Sequence, residues 1–249
     1  MLVKAYKTRK VVSGDDLFTI LKESLPKELP EKSIVAISSK IIALCESRIA
    51  NPQDMGRDEL AEKEAEYYLP RETNPFGVMV TIKNNVMVAS AGIDQSNAHG
   101  MYVLWPENVQ ASANSIRQQI AKSKGLRDIG VIVTDSRLSP LRWGVTGVCL
   151  SHSGFEAIRS YIGKPDVFGR LLQVETVNDA DSIAAAAVSV MGEGSEQTPL
   201  AIVSDIPYIV FTDKNPTPKE SLVSMIDMNH EVFTPLLTAA PWKKGKGGR

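Results

Sequence analysis

Apolar positions recur with two different periods along this 249-residue chain, and the switches between them mark its elements. MLVKAY makes a strand-like start. Ser13 followed by Asp16 reads as a capping box opening a helix that carries Leu17, Phe18, Ile20, Leu21 and Leu25. The continuous apolar run Ser33–Ser38 predicts a buried strand, and Lys40–Glu46 the start of the next helix. Asp58–Leu69, mostly Glu, Ala and Leu, predicts a helix. Val78–Ile82 and Val86–Ala89 flank Lys83-Asn84-Asn85, a hairpin signal. Asn108–Lys124 then reads as a helix and Ile129–Thr134 as a buried strand ending in Asp135. Asp179–Met191 is an alanine-rich helix capped by Asn178 or Asp179 and stopped by Gly192. Leu200–Val203 and Tyr208–Thr212 are predicted strands, and Thr217-Pro218 with Glu220 opens a final helix through about Val232. Strands and helices mix without strict βαβ alternation, which predicts a mixed α/β (α+β) sheet protein rather than a doubly wound one.

Composition narrows the class. The chain is 43% hydrophobic and 23% charged with a formal net charge of −1, the balance of a globular protein, and nothing in it points to nucleic acid or a membrane surface. No apolar run approaches the roughly 20 residues of a bilayer span, and the charged start MLVKAYKTRK lacks a signal-peptide core. Two cysteines, Cys45 and Cys149, both in apolar settings, predict neither a disulfide framework nor a cysteine-ligated metal. A cytoplasmic location follows. We expect one module over residues 1–241 and a flexible basic end, Trp242–Arg249.

Three polar loops end apolar elements and could carry chemistry: Asp94 with Ser96 and Asn97, Asp135 with Ser136, and Gly192-Glu193-Gly194-Ser195-Glu196. Carboxylates at strand ends project into the crevice where ligands commonly bind, and hard cations such as Mg²⁺ or Mn²⁺ prefer such oxygen donors. Taken singly, each of these acids also suits a turn or a cap. The chain has no phosphate-binding P-loop and no dinucleotide glycine fingerprint. His99, His152 and His230 lack ligand spacing, SHSG at Ser151–Gly154 is not a nucleophile elbow, and Cys149 reads as core.

The order of the motifs carries more than any one of them. AGIDQSN, GVIVTDS, RWGVTGVCLSHSGFEAI, YIGKPDVFGR and DADSIAAAAVSVMGEG, within about residues 10–205, together resemble the γ-glutamyl ligase family of coenzyme F-420 biosynthesis. The resemblance implies an intertwined homodimer of two interwoven subdomains. It also implies a ligase that uses a nucleoside triphosphate, GTP or ATP, to phosphorylate a substrate carboxylate, which L-glutamate then attacks through its amine. By motif position, Asp94, Asp135, Ser136 and Glu193 match the family's metal-associated residues, with Asp94 and Asp135 also catalytic. Asn97 and the segment Met191-Gly192-Glu193-Gly194 match nucleotide-binding positions.

The departures matter too. The family's nucleotide-contacting lysine aligns with Leu44, its preceding serine with Ala43 and its glycine with Ser47, while Glu46 and Arg48 remain. Lys40 lies one helical turn before Leu44 on the same face, so it is either the replacement cation for the phosphates or a solvated lysine at a helix start. After Ser136 the family's glycine-arginine becomes Leu138-Ser139, and a later arginine-glycine is Ser204-Asp205. Acceptors compatible with these changes are a coenzyme F-420 precursor or a folate. Arg137–Trp143 is the expected acceptor-facing segment and Gly77–Ala91 the expected exchanged segment of the dimer. The alternative reading is a non-catalytic nucleotide-binding or regulatory homologue, favoured by the missing lysine.

Overall fold

The structure is a computed structural model that describes residues 1–217, 220, 226 and 228–247. Its strands are β1 (Leu2–Tyr6), β2 (Ser33–Ser38), β3 (Ile49–Ala50), β4 (Tyr67–Leu69), β5 (Val80–Lys83), β6 (Val86–Ala89) and β7 (Tyr102–Val103). They continue with β8 (Ile129–Leu138), β9 (Val145–Ser153), β10 (Ile158–Ser160), β11 (Thr176–Asn178), β12 (Leu200–Ser204) and β13 (Lys243–Lys244). The α-helices are α1 (Leu17–Ser24), α2 (Ser39–Cys45), α3 (Arg57–Glu64), α4 (Val109–Lys124), α5 (Asp179–Met191) and α6 (Thr234–Ala239).

A five-stranded sheet in the order β1-β12-β2-β8-β9 forms the centre. Only β2 and β8 run parallel, with Ser33 opposite Ile129 and Ser38 opposite Thr134; the other neighbours are antiparallel. Alternation along β2 explains why SIVAIS is apolar without a break. Val35 and Ile37 join the core under α1 and α4, while Ile34 and Ala36 join the core under α5. Asn108 caps α4 by accepting from the Ala111 amide, and Asn178 caps α5 by accepting from Asp181. The alanine-rich face of α5 lets its backbone come unusually close to β9, where a Cβ on Gly147 would meet the Ala184 carbonyl oxygen at 2.4 Å. A second sheet, β13-β4-β5-β6, packs with α3 around Leu60, Ala61, Met79 and Ile93.

Several expectations are corrected. Asp16 itself caps α1, accepting from Thr19, and Ser13 instead bonds Ser47. The predicted helix Asp58–Leu69 stops at Glu64, because Tyr67-Tyr68-Leu69 pairs with β5 as a strand. β8 runs on through Asp135 to Leu138, so Asp135 sits within a strand and not at its end. Its partner β9 went unrecognised as a strand. Tyr208–Thr212 is no strand; Phe211 makes only an isolated bridge to Phe155, and Tyr208 has φ +70°. Within the C-terminal stretch, Lys243 and Lys244 pair with Tyr68 and Tyr67, and the Gly245 amide bonds Glu66. Gly245 is needed there, since a Cβ would meet the Ala65 carbonyl oxygen at 2.1 Å. Thr217 and Glu220 make the reciprocal bonds of a capping box. The helix expected to follow lies largely outside the described residues. The hairpin expected from Val78–Ile82 and Val86–Ala89 forms between β5 and β6, with Asn84 and Asn85 both at positive φ.

The contact between α5 and β9 gives a direct test. Gly147→Ala should destabilise the protein by about 1–3 kcal/mol, the usual range for an overpacked core, read as a lower urea midpoint with an unchanged m-value.

Candidate active site

The parallel pair β2–β8 ends at a cleft of about 530 Å³. Lys40, Asp94, Asn97, Asp135, Ser136 and the Met191–Gly194 segment all line it, so folding brings every predicted site residue to one cavity. Each arrives on a different element. Ser38 ends β2 and caps α2 by accepting from the Lys40 amide at 3.3 Å, which sets Lys40 in the first turn. Leu44, one turn later, lines the same cleft.

Asp135 is partly buried in β8. The Trp105 indole N–H donates to its Oδ2, and the Ser136 amide donates to Oδ1 at 2.8 Å. Burial pushes its pKa up to about 6, with Asp94 adding to the rise and the two donors and Lys40 opposing it. Asp94 follows a tight turn in which Ser90, Ala91 and Gly92 all have positive φ. Its side chain accepts from the Ser96 amide at 2.7 Å and hydroxyl at 2.9 Å, and it pairs with the Lys40 ammonium. Burial alone would raise the Asp94 pKa; Lys40 and Ser96 more than reverse this, so the net shift is downward.

Glu193 is exposed at the cleft and sits 3.4 Å from the Ser136 hydroxyl. Loss of solvent raises its pKa, Ser136 and Lys40 oppose the rise, and Asp94 and Glu196 add to it. Asn97 Nδ2 donates to the Gly194 carbonyl at 3.0 Å and ties the two polar loops together. The Gly194 amide bonds Glu196 at 2.8 Å, and a side chain on Gly192, at φ +80°, would collide with Glu196. Among the described residues no three His, Cys, Asp or Glu side chains are grouped tightly enough to enclose a metal by themselves. Asp94 is held by the Lys40 ammonium.

The other candidates fall elsewhere. Arg137–Trp143 forms the outer end of β8 and the turn towards β9, and none of it lines the cleft. Leu141 and Trp143 are 95% and 94% exposed, with Trp143 edge-on to Phe76 at 6.3 Å. His152 and Cys149 are buried, and burial lowers the His152 pKa to about 4. Glu46 accepts from the Glu107 amide and the Ser112 hydroxyl. Arg48 pairs with Glu64, which also holds Lys83. Sequence reasoning missed Trp105, Gly92 and this ion triad. The one local signal was a tryptophan in the apolar run YVLWP, which by itself reads as core.

A sheet flanked by helices, with carboxylates from three loops and strands facing a cleft beside a lysine, is the arrangement of a polar-substrate enzyme. Comparison with known proteins then names the group. The family model described as F420-0:Gamma-glutamyl ligase matches residues 5–205, and the chain belongs to that family. It is similar to the coenzyme F420:L-glutamate ligase of Methanopyrus kandleri, at 32% identity over 78% of this chain and 82% of the relative. The ligase of the same name from Methanosarcina barkeri is also 32% identical, over 79% and 82%. That of Archaeoglobus fulgidus shares 32% over 78% and 82%.

The raised pKa of Asp135 generates a stability prediction. Its folded-state value of about 6 exceeds the ordinary 3.8, so its contribution is fully present below about pH 4 and is lost as pH rises through 6. In chelator-treated protein, the stability of Asp135→Asn relative to wild type should therefore grow more favourable by about 2–3 kcal/mol between pH 4 and pH 7. Urea denaturation at both pH values measures it, and the pH-independent cost of the lost acceptor cancels in the comparison.

Proposed function

We propose that the chain is an active ligase that joins L-glutamate through an amide bond to the carboxylate of a coenzyme F420-type acceptor. A nucleoside triphosphate and a divalent cation drive the reaction, and it proceeds through an acyl phosphate. The observation that carries this reading is the meeting of Asp94, Asp135, Ser136 and Glu193, far apart in sequence, on one cleft in a chain whose family membership spans residues 5–205.

The donor set fits the cation. Carboxylate and hydroxyl oxygens are the ligands Mg²⁺ and Mn²⁺ prefer, and a partly buried carboxylate such as Asp135 gains most from a neighbouring positive charge. Asp94, Asp135, Ser136 and Glu193 would hold the ion, which when bound supplies charge neutralisation for the triphosphate. Lys40 offers its ammonium from the same helix face as Leu44, where the resembled family has its phosphate lysine, and this favours activity over a purely binding role. Gly192 and Gly194 carry no side chain beside Glu193, which leaves room at those two positions for close approach of phosphate oxygens. Asn97 holds that loop to the Asp94 loop, so both sides of the cleft move together.

The reading extends to assembly and location. We take the working form to be a homodimer in the cytoplasm. Exposed Val167, Phe168 and Val174 on one hairpin, with Val232, Phe233 and Leu236 near α6, offer the apolar surface such an interface covers. No helix among the described residues is long and apolar enough to cross a membrane.

Phosphate release that depends on glutamate, followed by mass spectrometry of the acceptor, tests the reaction. GTP and ATP are compared, and deazaflavin and folate-type γ-glutamyl acceptors are offered in parallel. Turnover should require Mg²⁺ or Mn²⁺ and fall by orders of magnitude in Asp135→Asn with the fold retained. Lys40→Ala should weaken nucleotide binding by about 1–3 kcal/mol, the range for losing a charge-assisted hydrogen bond. Nucleotide binding without any glutamate transfer to either acceptor would instead establish the non-catalytic reading. Light scattering should give twice the 27.1 kDa chain mass; a monomer at micromolar concentration would rule out the dimer.

A further inference from the structure

Trp105 is 1% exposed and carries its only polar atom on an indole ring that packing has already fixed. That N–H donates to Oδ2 of Asp135. Three further features hold the ring in this pose. Gly92, at φ +73°, has no room for a side chain, since a Cβ would lie 2.1 Å from Trp105 Nε1. The Arg48 Nε–H donates to the Trp105 carbonyl at 3.2 Å. Lys83, buried and paired with Glu64, sits 5.5 Å from the ring centroid. The Arg48–Glu64–Lys83 triad is thus joined to the cleft through a single aromatic residue.

We propose that Trp105 is the positioning residue for Asp135. Its N–H fixes one carboxylate oxygen while the Ser136 amide fixes the other, so the group meets a divalent cation in one preset orientation. Each oxygen keeps acceptor capacity beyond its single donor, so neither bond blocks a ligand role. Outer partners that orient a carboxylate ligand in this way typically contribute about 10–100-fold to metal affinity. Because the indole bonds directly to that carboxylate, cation binding also alters the surroundings of the Trp105 ring. The other tryptophans lie away from the cleft: Trp143 is exposed, and Trp242 donates to the Leu237 carbonyl. This inference rests on the metal-dependent reading given above.

The test uses the full chain and Mn²⁺ alone, then Mn²⁺ with GTP. Free Mn²⁺ is followed by electron paramagnetic resonance and tryptophan emission is recorded in the same titration. Trp105→Phe keeps an aromatic ring in the pocket but removes the N–H together with part of the indole. The shift of the wild-type ¹⁵N-indole resonance on Mg²⁺ addition is therefore recorded beside it and reads the hydrogen bond without a cavity. The expected result is Mn²⁺ affinity about 10–100-fold weaker than wild type, an unchanged far-ultraviolet circular dichroism spectrum, and loss of the Mn²⁺-dependent emission change. Wild-type affinity in Trp105→Phe would overturn the positioning role and leave metal dependence standing. No Mn²⁺ uptake by the wild type, with or without GTP, would overturn both. Should Trp105→Phe not fold, ¹⁵N-indole resonances of the wild type decide, with Trp143→Phe and Trp242→Phe assigning the other two signals. The Trp105 N–H must then shift on Mg²⁺ addition, and a fixed resonance at saturating Mg²⁺ overturns the proposal.

Discussion

Ser38, the last residue of β2, stands opposite Thr134 of β8, where the parallel pairing of two strands dry on both faces stops. Parallel neighbours need a long crossover, and here residues 39–128 supply it, carrying α2, α3, strands β4 to β6 of the second sheet and α4. The register sets the end of β2 level with Thr134, one residue before Asp135. From that level β2 turns into α2 and delivers Lys40, while β8 continues and delivers Asp135. Helix α4 seals one face and α5 the other, so the cleft can open only at the strand ends. The close approach at Gly147 fixes α5 against β9, and the end of α5 in turn positions the Glu193 loop.

The electrostatics of the cleft follow from that placement. Asp94, Asp135 and Glu193 face a space where Lys40 is already committed to Asp94 and Ser96. Asp135 and Glu193 titrate high because they have lost water without gaining a cation of their own. Asp94 titrates low because it has gained one. The contrast with the Arg48–Glu64–Lys83 triad is instructive. There burial also raises the carboxylate pKa, yet two cations on Glu64 hold it down. Removing one partner of such a buried pair typically costs about 3–5 kcal/mol. The triad therefore acts as a rigid footing, and the acids of the cleft retain an unsatisfied preference for positive charge.

Much of this protein was legible in its sequence wherever local rules suffice. SIVAIS reads as a buried strand, and Asn178, one of two candidate caps, announced its helix. The positive-φ pair Asn84-Asn85 announced a hairpin. The order of the five motifs identified the family, and motif position named the residues that share the cleft. These features depend on neighbours within a few residues or on motif order, both of which a sequence displays directly.

Tertiary structure decided the rest. Tyr67–Leu69 looks helical beside its Glu- and Ala-rich neighbours, and becomes a strand because β5 offers unpaired backbone groups. Lys243-Lys244 reads as part of a basic end, and pairs as a strand because the other edge of β4 accepts it where Gly245 leaves room. Trp105 reads as core, and is core, but the same packing directs its N–H at a carboxylate 30 residues on. Arg137–Trp143 follows the site in sequence and leaves it in space, because β8 carries the chain outward for three residues beyond Asp135. Local propensity fixes what a segment can do alone; which hydrogen-bonding edge, cavity or charge it meets is set by long-range pairing, and that information exists only once the chain has folded.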